Sequence, residues 1–212
     1  MKATATMLRP EMTPTAIEFH RLTNELAIWH CYDAKVKAEL FSTAVATPAG
    51  VFLIDPISSA VEALSVLPEG EEPTAIVVTN ENHARASHSL AERLGVPIYA
   101  AAAAGVKGAI AVEEGPVASA FEIIPIPGAP AGEVALYCAR EGGTVIIGDA
   151  LINFGSHGFD FLPAKYCANA KVMRRSLRKL LDHNFERLLF AHGTPIIDQA
   201  RQRLTALLEN AS

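Results

Sequence analysis

The sequence predicts a mixed α/β (α+β) protein folded as a single domain over residues 1–212, and three observations predict it. Over residues 51–100, apolar β-branched runs alternate with helix-like segments, the pattern of strands joined by helical crossovers. After Gly105, short strand-like runs follow one another with tight turns between them, the pattern of an antiparallel meander. The chain has 212 residues, half of them apolar, enough to bury a sizeable core without disulfides or a structural metal.

Residues 1–15 carry Pro10 and Pro14 without periodicity and read as a loose lead-in. Runs 17–22 and 26–32 are β-like, with Asn24-Glu25 at the turn between them, and Trp29 belongs in the core. Residues 35–47 alternate polar and apolar as a half-buried strand does, and Pro48-Ala49-Gly50 is a turn. Val51-Phe52-Leu53-Ile54 is a wholly apolar strand that Asp55-Pro56 ends. Ser58 or Ser59 caps a helix running to about residue 67, and 68–73 is an exposed loop. Strand 75–79 empties into the polar loop Asn80-Glu81-Asn82-His83-Ala84-Arg85, followed by a helix to Leu94 with Gly95 at its C-terminus and a strand at 96–99. Residues 100–104 form one helical turn. Strands are expected at 109–113, 121–126, 133–139 and 144–148, the last two joined by a hairpin turn at Glu141-Gly142-Gly143. Residues 153–165 read as a long loop, 170–183 as an amphipathic helix with Val172, Leu177, Leu180 and Leu181 on its apolar side, 187–191 as a buried strand ending at His192-Gly193, and 196–208 as a closing helix.

Composition excludes several function classes. The formal net charge is −5, and the one basic cluster, 171–179, fits the solvated face of a helix better than a nucleic-acid patch. No apolar run approaches the length needed to span a bilayer, and no signal segment opens the chain, so a cytoplasmic protein without nucleic-acid or membrane partners is expected. Cys31, Cys138 and Cys167 lack metal-ligand spacing. No nucleophile elbow, phosphate loop or dinucleotide fingerprint stands in a supporting context.

Five motifs then fall in order, each at a strand end: Leu53-Ile54-Asp55-Pro56, the loop after Thr79, Pro127-Gly128-Ala129-Pro130-Ala131-Gly132, Ile147-Gly148-Asp149-Ala150 and Ala191-His192-Gly193. Together they resemble the metallo-β-lactamase superfamily from about residue 25 to the end. The resemblance implies a four-layer αββα sandwich and a hydrolase-like cleft. It also implies a degraded two-metal site. Where the family carries H-x-H-x-D-H, this chain has Asn80, Asn82, Ala84 and Arg85, and Ala129 stands at the later histidine. Asp149 and His192 survive. Amides are poor ligands for zinc and alanine is none.

The resemblance leaves Asp149 as a buried carboxylate without its metal counter-ions. Arg85 is expected to supply the missing charge by pairing with Asp149 or Asp55. His83 falls between ligand positions and reads as a structural or neighbouring histidine, with an inward turn toward Asp149 and His192 as the alternative. His157 and Lys165 belong to the surface of the long loop. The function expected first is a metal-free cleft of Asn80, Asn82, His83, Arg85, Asp149 and His192, backed by Asp55, that binds a small anionic molecule with no cofactor and no two-zinc hydrolysis; two alternatives stay open, a hydrolase with a single metal ion at Asp149 and His192 helped by His83 or an asparagine, and a structural or interaction protein. The sequence is silent on substrate and oligomeric state.

Overall fold

The structure is a computed structural model that describes residues 17–58, 72–118, 120–154 and 158–210. The lead-in, the helix expected to run to residue 67, most of the loop after it and His157 lie outside the described residues.

A seven-stranded sheet runs β1 (Glu18–Arg21), β2 (Leu26–Asp33), β3 (Ala38–Thr47), β4 (Gly50–Ile54), β5 (Pro73–Val78), β6 (Ile98–Ala101) and β7 (Ile110–Val112) in spatial order. Strands β1 to β4 pair antiparallel, and β4 to β7 pair parallel. Facing it is a five-stranded sheet of β8 (Gly115–Val117), β9 (Phe121–Pro125), β10 (Val134–Cys138), β11 (Thr144–Ile147) and β14 (Arg187–Phe190), in the order β14-β11-β10-β9-β8. Strands β12 (Leu151–Phe154) and β13 (Gly158–Phe161) form a separate hairpin.

Successive strand residues point to opposite faces, so one strand feeds two cores. Leu26, Ile28, Phe52, Ile54 and Val77 meet Ile123, Leu136 and Ile146 between the sheets. Trp29, Leu53, Ile76 and Val78 face outward and are covered by Leu90 of helix α1 (Ser87–Leu94). On the other side, Ala135, Val145, Ile147 and Leu188 pack under Met173 and Leu177 of α2 (Ala170–Leu177) and Leu204 and Leu208 of α3 (Ala200–Asn210). Helix, sheet, sheet and helix are thus the four expected layers.

Gly95 ends α1 at φ 68° with its N–H on the Ala91 carbonyl, the left-handed cap expected there. Strand β3 differs from its half-buried expectation, because residues 41–47 are buried on both faces. Its polar residues satisfy backbone groups instead of facing water: Ser42 Oγ donates to the Asp55 carbonyl at 2.8 Å and Thr47 Oγ1 to that of Gly50 at 2.8 Å. The 109–113 strand is real, but it extends the first sheet in parallel rather than joining the meander. The expected long loop at 153–165 overlaps the antiparallel β12–β13 pair, drawn inward because Leu151 and Phe161 bury against the helices of the second sheet. The helical turn at 100–104 shortens to a 3-10 turn at Ala102–Ala104, and the closing helix starts at Ala200 because Ile196 instead bridges Leu188.

Candidate functional site

The parallel strands β4 and β5 end side by side, and their following residues, Asp55 and Thr79, open the site. The Asp55 carboxylate accepts from the Thr79 N–H at 2.8 Å and from the Thr79 hydroxyl at 2.5 Å. His83 Nδ1 lies 2.9 Å from Asp55 Oδ2 and 2.9 Å from Thr79 Oγ1, which turns the ring so that Nε2 points away from them. That Nε2 sits 3.2 Å from Asp149 Oδ1, yet it is buried and has no directed hydrogen bond. His192 approaches the same oxygen from β14, with Nε2 at 3.4 Å and Nδ1 at 3.1 Å from the Glu39 carbonyl. Asp149 Oδ1 therefore lies between two imidazole nitrogens. Its other oxygen, Oδ2, accepts the side-chain amides of Asn80 and Asn82, each at 3.1 Å. The two asparagines thus serve as donors to Asp149.

Arg85 is a correction to the expected ion pair. Its guanidinium turns inward but binds main-chain carbonyls: Phe41 at 2.6 Å, Asp55 at 3.0 Å and Ala191 at 3.3 Å. It ties β3, β4 and β14 together at the site's edge. The cation that meets Asp55 and Asp149 directly is His83, the residue expected between ligand positions. The reversal follows from backbone conformation. Arg85 has φ 37° and Asp55 φ 47°, a region that non-glycine residues enter only at a cost, and such turns redirect side chains in ways no periodicity reveals.

Glu133, a residue the sequence marks only as the start of a strand, closes the floor. Its Oε2 accepts from the Asn80 amide at 2.6 Å and from the Asp149 N–H at 3.3 Å, and Oε1 accepts from the Ala150 N–H at 3.0 Å. Gly148 makes room for this convergence. A Cβ there would come within 2.6 Å of Thr79 Oγ1, 2.8 Å of Asn80 Nδ2 and 2.8 Å of Glu133 Oε2.

Electrostatics sort these groups. Burial opposes a charged His83, but the Asp55 charge and the contacts with Asp149 and Asp55 outweigh it and push the imidazole up to about 9. Burial opposes ionised Asp149 as well, yet His83, His192 and Asn82 hold it well below the usual carboxylate range. Asp55 is likewise lowered against its burial, by His83, Arg85 and Thr79. Burial and then the Asp149 charge raise Glu133 to about 8. His192 is held down to about 4 by burial and by the charges of His83 and Arg85. At neutral pH the cluster is balanced, with carboxylates at Asp55 and Asp149 against cations at His83 and Arg85.

His83, Asp149 and His192 also satisfy the demands of a metal centre. Each offers one ligand atom, and these atoms lie within 4.8 Å of one another. The spacings of 3.2 and 3.4 Å match the edge of a tetrahedron with ligand bonds near 2.0–2.1 Å, about 3.3 Å. Both histidines have Nδ1 engaged by an oxygen, Asp55 for His83 and the Glu39 carbonyl for His192. That arrangement presents Nε2 inward and fixes the ring. The undirected His83 Nε2 is the buried polar atom that a metal would satisfy. Ala84 and Ala129 offer no ligand, Arg85 is committed to carbonyls and the asparagines donate, so a second metal does not fit. His83 is buried, while Asn82 and part of His192 remain exposed, so the site meets solvent on their side.

A family model described as the metallo-beta-lactamase superfamily matches residues 19–211. Among solved structures, DIM-1 metallo-beta-lactamase is 15% identical with a TM-score of 0.72, covering 92% of this chain and 98% of that one. A metallo-beta-lactamase from Erythrobacter litoralis with beta mercaptoethanol in the active site is 13% identical, with a TM-score of 0.70 and coverage of 92% and 96%. TTHA1623, solved in a di-iron-bound form, is 27% identical with a TM-score of 0.56, covering 78% of this chain and 92% of that one. No curated protein matches. Among the described residues, no helix is long and apolar enough to cross a membrane.

Proposed function

The chain belongs to the metallo-beta-lactamase superfamily, and from that premise we propose that its cleft is a hydrolase-type centre for one metal ion, held by His83, Asp149 and His192. The observation that carries this reading is the convergence of His83 Nε2 and His192 Nε2 on Asp149 Oδ1 at 3.2 and 3.4 Å. Of the three functions that the sequence leaves open, this is the single-metal one, with His83 as the third ligand. A bound divalent ion would supply Lewis acidity and a water activated for attack on an electrophilic carbonyl or phosphoryl group.

The chain's own residues divide the remaining work. Asp55 and Thr79 hold the His83 ring, and the Glu39 carbonyl holds His192. Asn80 and Asn82 occupy Asp149 Oδ2 and keep its Oδ1 turned to the histidines. Asn82, at the exposed edge, is placed to meet a substrate oxygen. Arg85 adds fixed positive charge behind the site, which favours a small anionic substrate. Charge balance supports the exchange: a cluster neutral with protons on His83 and Glu133 stays neutral when a divalent ion replaces both. TTHA1623 is described in a di-iron-bound form, so iron is tested beside zinc and manganese.

The test is metal analysis of chelator-stripped protein after dialysis against each ion. One equivalent that Asp149→Ala or His83→Ala removes supports the centre. Equal retention by both variants refutes it. A second reading rests on the same charge balance: His83 as an imidazolium between Asp55 and Asp149 is a complete substitute for a metal, leaving a binding protein. A purified protein that takes up no metal at this site, yet binds small anions through Asn82, supports that reading.

A further inference from the structure

A second group of ligand-type side chains stands on the first sheet, apart from the cleft. Glu18 of β1 pairs directly across the ladder with His30 of β2, and His20 lies two residues along β1 on the same face. Glu18 Oε2 sits 3.6 Å from His20 Nε2 and 3.6 Å from His30 Nε2. That separation exceeds a hydrogen bond to either ring. A carboxylate oxygen therefore rests midway between two imidazole nitrogens and is bonded to neither, at a spacing close to the edge of a metal's ligand polyhedron.

His30 is prepared for such a role. Its Nδ1 faces Glu39 Oε2 at 3.3 Å, which leaves Nε2 toward Glu18. Its ring stacks on Phe41 at 4.5 Å, with 12° between the planes, so its direction is set by packing. His20 stacks on the other face of His30 at 5.5 Å, and its side chain is 48% exposed, free to swing the few tenths of an ångström that coordination requires. The backbone is fixed by the β1–β2 ladder and, behind it, by β3. Imidazole, imidazole and carboxylate form a donor set suited to zinc and its neighbours, and an exposed position leaves room for water to complete the shell.

The geometry points to a second, surface divalent-metal site formed by Glu18, His20 and His30. It shares no ligand residue with the centre proposed in the cleft. Glu39 touches both places, with its side chain on His30 and its carbonyl on His192.

Chelator-stripped protein is dialysed against free zinc in the low micromolar range, and bound zinc is counted by mass spectrometry. His20→Ala is the main variant, because its exposed side chain on an edge strand leaves the fold intact. Glu18→Gln is the second, since it keeps the shape and removes the charged ligand. The expected result is a loss of one equivalent in each relative to wild type, with metal-free melting temperatures unchanged. Asp149→Ala should retain that equivalent, which separates this site from the cleft. Equal zinc in His20→Ala and wild type overturns the assignment.

Discussion

Raising the pH should destabilise the metal-free protein through His83, and the size of the effect follows from its surroundings. The ring is pushed from 6.5 up to about 9 by Asp55 and Asp149. A group whose folded pKa is raised contributes stability that is fully present below its unfolded pKa and is lost as pH climbs through the folded one. For His83 that window runs from 6.5 to about 9. The shift corresponds to about 3–4 kcal/mol at 1.4 kcal/mol per unit. For a chain of this length that lowers the melting temperature by roughly 6–16 °C. The assay is thermal unfolding by circular dichroism in chelator, from pH 6 to 10, for wild type and His83→Gln. The variant cannot carry the proton, so the difference between the two curves should be largest near pH 6.5 and shrink toward pH 9.5. Parallel curves across that window would refute the view that an imidazolium neutralises Asp55 and Asp149.

Glu133, raised to about 8, loses stability by the same sign as pH rises from 4.5. Glu133→Gln should flatten the decline between pH 5 and 8, and an unchanged slope in the same melts counts against a buried neutral carboxyl. Gly148→Ala forces a methyl into Thr79, Asn80 and Glu133; a loss of about 1–3 kcal/mol in urea denaturation is expected, and wild-type stability would show that the cluster yields. Arg85→Met strips the donors from three carbonyls, those of Phe41, Asp55 and Ala191. It should cost about 2–4 kcal/mol, and a change within 0.5 kcal/mol by the same denaturation would remove Arg85 from the frame. Metal uptake at the cleft should strengthen as pH rises toward 9 and release protons; calorimetry in buffers of different ionisation enthalpy reads the count, and zero protons released contradicts displacement from His83.

Strands bounded by turn residues were legible because apolar runs such as Val51-Phe52-Leu53-Ile54 have few other uses. The layered architecture followed from motifs at strand ends. Strand β3 was half legible. Its polar residues read as the exposed half of an alternating strand, but buried hydroxyls bonded to backbone, as at Ser42 and Thr47, look identical in sequence to exposed ones. The β12–β13 hairpin was hidden by glycines that punctuate Phe154 and Phe159. In the site, Asp55, Asp149 and His192 announced themselves as polar residues closing buried strands. Glu133 gave no such signal, since an acid at the first residue of a strand ordinarily faces water.

The exchange of roles between Arg85 and His83 bears on what the cleft does. A guanidinium cannot lose its proton under ordinary conditions, so an Arg85–Asp149 pair would have closed the site to metal permanently. An imidazolium in that position is a reversible plug. With its proton, His83 lies between Asp55 and Asp149; without it, the same Nε2 is a free ligand atom 3.2 Å from Asp149 Oδ1, the oxygen on which His192 Nε2 also converges. Arg85 meanwhile keeps its charge on carbonyls, where no metal competes for it. Asparagines where the resemblance implies histidines therefore do not by themselves exclude the proposed centre. Asn80 and Asn82 act as donors that orient Asp149, and in that proposal the imidazole comes from His83, between Asn82 and Ala84. In the proposed centre the proton and the metal would compete for one nitrogen, and pH and metal availability together would decide which occupies it.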